Sequence, residues 1–273
     1  MTNHTELLRS RYGEIPFSYE IDWNDSLETL ISHRSVRSYL SEPLPSGTLE
    51  WLVAAAQSAA SSANMQTWSV VAIEDPERKA ELCKLANNQV WINQAPVFLV
   101  WLADLGRLAH IADSRGLPHV ALDYTELLVK AIVDASVAAQ NAVVAAESVG
   151  LGTVYIGAIR KSTQEVATLL NLPPFVFPIF GLCVGYPNPE VEPAMKPRLP
   201  QPAVFHRETY KLAEQDEAIA RYNDIMKQFY TEQNMNVAVD WSQHSAERIA
   251  TLDYLKGCKY LRETLNNFGF KLL

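Results

Sequence analysis

Cysteine is scarce in this chain. Cys83, Cys183 and Cys258 stand far apart among 273 residues, with no spacing that would hold a metal. An odd, sparse set suits reduced thiols rather than a disulfide framework, and each is expected to be a small core or surface residue, not a nucleophile. The six histidines are scattered too. Neither a zinc spacing nor a triad pattern appears, so no metal site and no side-chain nucleophile are expected. Cations are in deficit: 23 lysines and arginines face 31 aspartates and glutamates, a net charge of -8. That argues against a general nucleic-acid binder. No apolar run approaches the length of a bilayer span. The opening residues, Met1 to Glu6, lack the basic and apolar blocks of a signal peptide. These absences predict a cytoplasmic protein without nucleic-acid or membrane partners. There is no internal repeat and no linker long enough to divide the chain.

What is present is ordinary for a folded protein: 48% hydrophobic and 20% charged residues, enough for a sizeable core. Residues 1–24 are mixed, with a turn-like piece at 12–16. Asp25 or Ser26 can cap a helix running to about His33. Ser46 offers an N-cap for a second helix, which ends in small residues near 59–62. Trp68–Ile73 reads as a buried strand, Pro76 opens a helix through Leu85, and residues 95–102 form a second apolar strand. Residues 104–122 look irregular. From about Tyr124 to Val149 one long helix is apolar almost all round, so it is buried on more than one side, in a core or a subunit interface. Within it Asp134 reads as a paired structural carboxylate. A short strand at 154–156, a helix capped by Ser162 or Thr163, and a strand at 176–186 follow. Residues 187–200 are proline-rich and extended, and the remainder to Lys271 is mostly helical and polar. The mixture predicts an α+β or mixed-sheet single domain.

Against the acidic background, the stretch from Ser32 to Tyr39 packs in two arginines, a histidine and three serines. Such donors suit an anion, above all a phosphate monoester. Arg34 and Arg37 equally suit the end of the preceding helix, where cations are favoured. Three other segments carry candidate ligands. Residues 57–66 place Ser61, Asn64 and Gln66 among small side chains, which also describes an ordinary loop. The Gly150–Arg160 segment is glycine-rich but follows a helix instead of opening one, so it is neither a dinucleotide turn nor a phosphate loop. In Lys196-Pro197-Arg198 the proline stiffens the backbone between two cations.

Taken in order, His33-Arg34-Ser35-Val36-Arg37, Ser61 to Gln66, Gly150 to Gly157 and Lys196 to Pro200 resemble the flavin-dependent nitroreductase family. The likeness is to its group of oxygen-insensitive NADPH nitroreductases and NADPH-flavin oxidoreductases, and it runs from about residue 26 almost to the end. Trp241-Ser242 and Asp253 to Leu255 fit as well. The resemblance implies a nitroreductase-like fold, a central, mainly antiparallel mixed sheet flanked by helices, in an intertwined homodimer. It implies one domain, with an FMN-binding core over about 26–200 and a helical extension over 201–273. It places His33, Arg34, Ser35, Val36 and Arg37 on the phosphate and ribityl chain of a non-covalent FMN. Ser61 then reaches FMN from the partner subunit, and Gln89 faces the isoalloxazine. Tyr155, Ile156, Gly157 and Ala158 lie along the flavin face, and Lys196, Pro197 and Arg198 near the ring and phosphate.

The implied chemistry belongs to the flavin. NADPH or NADH delivers hydride to N5, a cation such as Lys196 stabilises charge toward N1 and O2, and a small-molecule acceptor then takes the nicotinamide's place. Nitroaromatics, quinones and free flavins are the implied acceptors; a dedicated flavin reductase and a low-turnover flavin-binding protein are the alternatives. One departure stands out. Where the related group has arginines for the 2′-phosphate of NADPH, residues 231–240 here contain no cation.

Overall fold

The computed structural model describes residues 4–13 and 22–273, so the turn expected at 12–16 lies largely outside the described residues. The helices are α1 (His4–Tyr12), α2 (Asp25–Ser32), α3 (Thr48–Gln57), α4 (Pro76–Leu85), α5 (Trp91–Gln94), α6 (Gly106–Ser114), α7 (Thr125–Ser148), α8 (Thr163–Leu169), α9 (Asp216–Glu232), α10 (Trp241–Ala250) and α11 (Leu261–Asn267). The strands are β1 (Trp68–Ile73), β2 (Val97–Asp104), β3 (Gly152–Ile156) and β4 (Val176–Gly185). They form one sheet in the order β1-β2-β4-β3, every neighbouring pair antiparallel. Among the described residues the parallel component is a single bridge between Ser35 and Thr153. The architecture is α+β, as expected.

The chain divides into two compact units, one from the residues up to Arg34 with Pro193–Tyr254, the other from Ser35–Glu192 with Leu255–Leu273. In the second unit β2 is buried along its whole length, because strands pair with it on both edges and side chains cover both faces. Strand residues alternate between faces. Val97, Leu99 and Trp101 join Ala138, Ala139, Ala142, Val143 and Ala146 of α7. Phe98, Val100 and Leu102 point the other way, into a cluster with Leu82, Cys83, Ile156, Ile159 and Val166. Gly181 lets Phe98 cross β4, since a Cβ there would sit 2.0 Å from the Phe98 ring. The C-terminus returns to this unit, where Phe268 and Phe270 pack against Phe177 and Phe175. In the first unit Tyr222, Met226 and Phe229 of α9 form a small cluster with Leu199 and Trp241.

Several local expectations are corrected. α2 is capped by Asn24, whose side chain accepts from Leu27 N, not by Asp25 or Ser26. α3 opens after Gly47 in a left-handed conformation, with no side-chain cap. Residues 106–114 are helical, not irregular, and α1 is a helix where only mixed sequence was read. α7 has the length and apolarity of a bilayer span, contrary to the expectation that no run approaches it, but it lies against the sheet with 44% of its apolar window buried. Asp134, by contrast, is the paired structural carboxylate expected, buried and accepting from Ser62 and Thr67.

Candidate functional site

In the second unit the cationic stretch is built against the edge strand β3. Ser35 forms the parallel bridge with Thr153, and Val36 N donates to Thr153 O at 2.9 Å. Val36 packs so closely on β3 that a Cβ at residue 152 would approach its Cγ2 to 2.6 Å, which explains Gly152. The Tyr39 hydroxyl donates to Val36 O at 2.8 Å and fixes the turn from the other side; burial pushes its phenol pKa well up, so it stays a donor. Gly152→Ala is therefore expected to push Val36, and with it Ser35 and Arg37, off β3. Overpacking of this kind costs about 1–3 kcal/mol; urea unfolding of the variant measures it, and wild-type stability would show that the contact yields freely.

Arg37 is exposed, with its guanidinium carbon 5.9 Å from the centre of the Trp91 ring. Gln89 lies two residues before Trp91, after Asn87 and Asn88 in left-handed conformations. Its carbonyl takes hydrogen bonds from Ile92 N and Cys83 Sγ, and its side-chain amide has no hydrogen bond among the described residues. The indole Nε1 of Trp91 is buried with no hydrogen-bond partner among the described residues, so it is closed off from a ligand. Arg37 and the Gln89 side chain offer donors that no described residue satisfies. The helix-end alternative for Arg37 fails here: α2 stops at Ser32, and Arg37 belongs to the stretch laid along β3.

Ser61 sits in a loop tied down from two sides. The Asp134 carboxylate accepts from Ser62 N at 3.0 Å and from Thr67 Oγ1 at 2.9 Å. Arg107 of α6 donates to Gln66 O, Trp68 O, Ser69 Oγ and Asp104 Oδ2 at 2.7–3.3 Å. Between these ties Ala63, Asn64 and Gln66 take left-handed backbone angles, a conformation that costs free energy for side chains other than glycine. The Ser61 hydroxyl has no hydrogen bond among the described residues. At the other end of β3, Tyr155 is exposed, edge-on to Phe180 at 5.0 Å. Ile156 enters the core, and Gly157 and Ala158 turn away from the strand. Arg160 pins this turn by donating to Ile179 O, the carbonyl of the residue left unpaired by the bulge between β2 and β4.

The remaining candidates belong to the first unit. His33 is the C-cap of α2, with Arg34 next to it. Lys196, Pro197 and Arg198 lie in an extended segment bound to α1 and α9. Arg198 N donates to Arg11 O at 2.8 Å, Arg11 Nη1 to Lys196 O at 3.0 Å, and the Tyr222 hydroxyl to Pro197 O at 2.9 Å. Arg11 also donates to Ile31 O and His33 O. Sequence reasoning missed Arg11, Trp91 and Arg107; only the proximity of Trp91 to Gln89 in the chain could have signalled one of them. The α9–α10 loop is polar, with Asp240 capping α10. The Gln243 amide and the Ser242 hydroxyl hold the Asp240 carboxyl below its ordinary pKa, so the loop bears a negative charge.

The nitroreductase family model matches residues 30–186, and the model of that family's C-terminal domain matches residues 196–273. The chain belongs to the nitroreductase family. Among nitroreductase-family relatives, an FMN reductase [NAD(P)H] of Bacillus subtilis is 42% identical over 91% of this chain and 99% of its own. A hypothetical oxidoreductase of the same organism, YcnD, has a solved structure that superposes with a TM-score of 0.86 at 40% identity, covering 92% of this chain and 99% of its own. The NADPH:FMN oxidoreductase of Vibrio harveyi, solved as a complex with NAD+, superposes at 0.78 with 33% identity over 91% and 99%. The nitroreductase fold expected from the sequence is thereby shared with solved structures.

Proposed function

We propose that this chain is an FMN-dependent NAD(P)H oxidoreductase that reduces nitroaromatics, quinones or flavins. The observation that carries this is the cationic stretch laid along β3, with Arg37 over Trp91 beside Gln89. Its donors fit the group: arginine and serine suit a phosphate, and the Gln89 amide suits a polar aromatic edge. When bound, FMN supplies two-electron chemistry, taking hydride from a nicotinamide and passing it to an acceptor in a ping-pong cycle.

The chain's own residues then bind and orient. His33, Arg34, Ser35, Val36 and Arg37 anchor the phosphate and ribityl chain, with Val36 holding the stretch on β3 through its amide bond to Thr153 O. Gln89 addresses the ring. Tyr155, Ile156, Gly157 and Ala158 provide a face with little side-chain bulk at Gly157. Lys196 and Arg198, spaced by Pro197, place positive charge where anionic character develops. No side chain needs to be a nucleophile. The whole chain acts as one functional domain, with a flavin-binding core over about 26–200 and a helical extension over 201–273.

The protein is further proposed to work as a cytoplasmic homodimer, with Ser61 serving the partner's flavin. Val129, Val133 and Val137 expose an apolar stripe on α7, which favours burial against a second copy. Light scattering should return twice the 30.5 kDa chain mass; a monomer at micromolar concentration sinks the dimer. For the cofactor, the purified protein should be yellow and release FMN on denaturation. Colourless protein that takes up no FMN overturns the proposal.

A dedicated flavin reductase is the second reading, favoured by the names of the Bacillus and Vibrio relatives; comparing kcat/KM for free FMN, quinones and nitroaromatics separates the two. The cation-free 231–240 loop, with its charged Asp240, predicts a weak preference for NADPH or use of NADH. Each charge-assisted hydrogen bond that the 2′-phosphate lacks is worth about 1.5–3 kcal/mol. A kcat/KM ratio for NADPH over NADH below about tenfold is the expected result, one such bond being worth at least that factor; a much larger ratio would mean that Arg207, Arg221 or Lys227 takes the phosphate.

A further inference from the structure

The N-terminal helix α1 lies outside both family matches, which begin at residues 30 and 196. Even so, it carries one of the few buried cations of the described residues. Arg11 is 6% exposed. Its Nη2 donates to Ile31 O at 2.6 Å and to His33 O at 2.8 Å, its Nη1 donates to Lys196 O at 3.0 Å, and its own carbonyl accepts from Arg198 N at 2.8 Å. The helix is seated through Leu7 and Leu8, both buried, and through Gly13, which lies against Ile225 of α9.

We propose that Arg11 is a positioning residue for the flavin site, holding the segment that carries His33 and the segment that carries Lys196 and Arg198 in one arrangement. This rests on the FMN reading above. α2 ends with carbonyls that have no partner within the helix and with no basic residue in its last turn. Arg11 supplies that cap from another element, and so fixes the direction in which the chain leaves α2 toward Arg34. The same planar guanidinium reaches Lys196 O. Only a rigid fork of several donors can bridge three carbonyls in this way. A lysine offers one ammonium point and cannot span them equally. Lys196, the cation assigned to the flavin ring, thus has its backbone set by Arg11, and the residue's effect should extend to the energetics of the bound flavin.

The test uses the full chain and three variants: Arg11→Ala, Arg11→Lys, and Arg9→Ala as an exposed control on the same helix. FMN affinity is read by flavin-fluorescence titration of the apoprotein, and the midpoint potential of the bound flavin by reductive titration. Arg11→Ala should bind FMN at least tenfold more weakly. The potential should also move negative, by about 30 mV for each tenfold preferential loss of the reduced form. Arg11→Lys should fall between wild type and alanine, and Arg9→Ala should match wild type. Weaker FMN binding with an unchanged potential assigns Arg11 a purely structural part and overturns the proposal, as does unchanged affinity. If Arg11→Ala does not fold, the same two readings on Arg11→Lys decide. Wild-type protein that binds no FMN sinks the flavin reading itself, a result distinct from either.

Discussion

Asp134→Ala is expected to lower the stability of the protein by about 3 kcal/mol, as the loss of a buried acceptor leaves its donors unsatisfied at about 1–3 kcal/mol each. The carboxylate lies in the middle of α7, 2% exposed, in a helix whose other buried residues are alanines with Leu128 and Val143. It accepts from Ser62 N at 3.0 Å, Thr67 Oγ1 at 2.9 Å and Thr67 N at 3.4 Å. Thr67 is itself 1% exposed, so water cannot replace the lost acceptor without opening the core. Asp134→Asn keeps one carbonyl oxygen and should cost clearly less than alanine. Asparagine nearly keeps the volume of aspartate, whereas alanine also opens a cavity, so the asparagine variant reads the acceptor alone. Urea unfolding of both variants measures the two losses, and an alanine variant that loses well under about 1 kcal/mol, less than one buried acceptor is worth, would show that the hydrogen bonds do not hold Asp134 in place. The loop carrying Ser61 should loosen in the alanine variant, visible as faster amide exchange at Ser62 and Thr67.

The contrast between Asp134 and its neighbours shows which parts of this fold can be read without coordinates. β1 and α4 are legible to the residue, at 68–73 and 76–85. The bounds of β1 follow from its apolar, valine-rich run, but the burial expected for it does not hold: it lies at the sheet edge with Ala72 exposed and Ile73 alone buried. Asp75-Pro76 is a self-contained start signal whose aspartate does accept from Arg78 N. α6 was not legible: with Arg107, His110 and Asp113 on its surface and only Ala109 buried, its pattern is too polar to declare a core face. Caps failed for a related reason. Asn24, Asp25 and Ser26 are all competent, and Asn24 is the cap because its side chain accepts from Leu27 N, a choice that residue type alone does not make. In the site, the cluster His33–Arg37 was visible because its donors are adjacent in sequence. The partners that give it shape are far away: Thr153, Gly152 and Trp91 for one part, Arg11 for the other. Long-range hydrogen bonds of this kind arise from topology, here the placement of β3 at the sheet edge, and leave no trace in spacing.

Arg37→Ala is expected to weaken FMN binding by about 10–100-fold while leaving the apoprotein nearly as stable as wild type. The magnitudes separate the two effects. In the free chain Arg37 is exposed and makes one cation–π contact, with Trp91. Such contacts are worth only about 0.5–1 kcal/mol at exposed sites. A phosphate partner adds charge-assisted hydrogen bonds of about 1.5–3 kcal/mol each, and 1.4 kcal/mol is a factor of about ten in affinity. The deficit therefore falls on the complex. Arg37→Lys should recover part of the affinity, since an ammonium keeps the charge but loses the two-point fork. Salt should narrow the gap between wild type and alanine, as expected for an exposed ion pair. Fluorescence titration at low and high ionic strength, with urea unfolding of the apoproteins alongside, measures all three quantities. Unchanged FMN affinity in Arg37→Ala would remove Arg37 from the phosphate site. A loss matched by equal destabilisation of the apoprotein would make it a fold residue that holds Trp91.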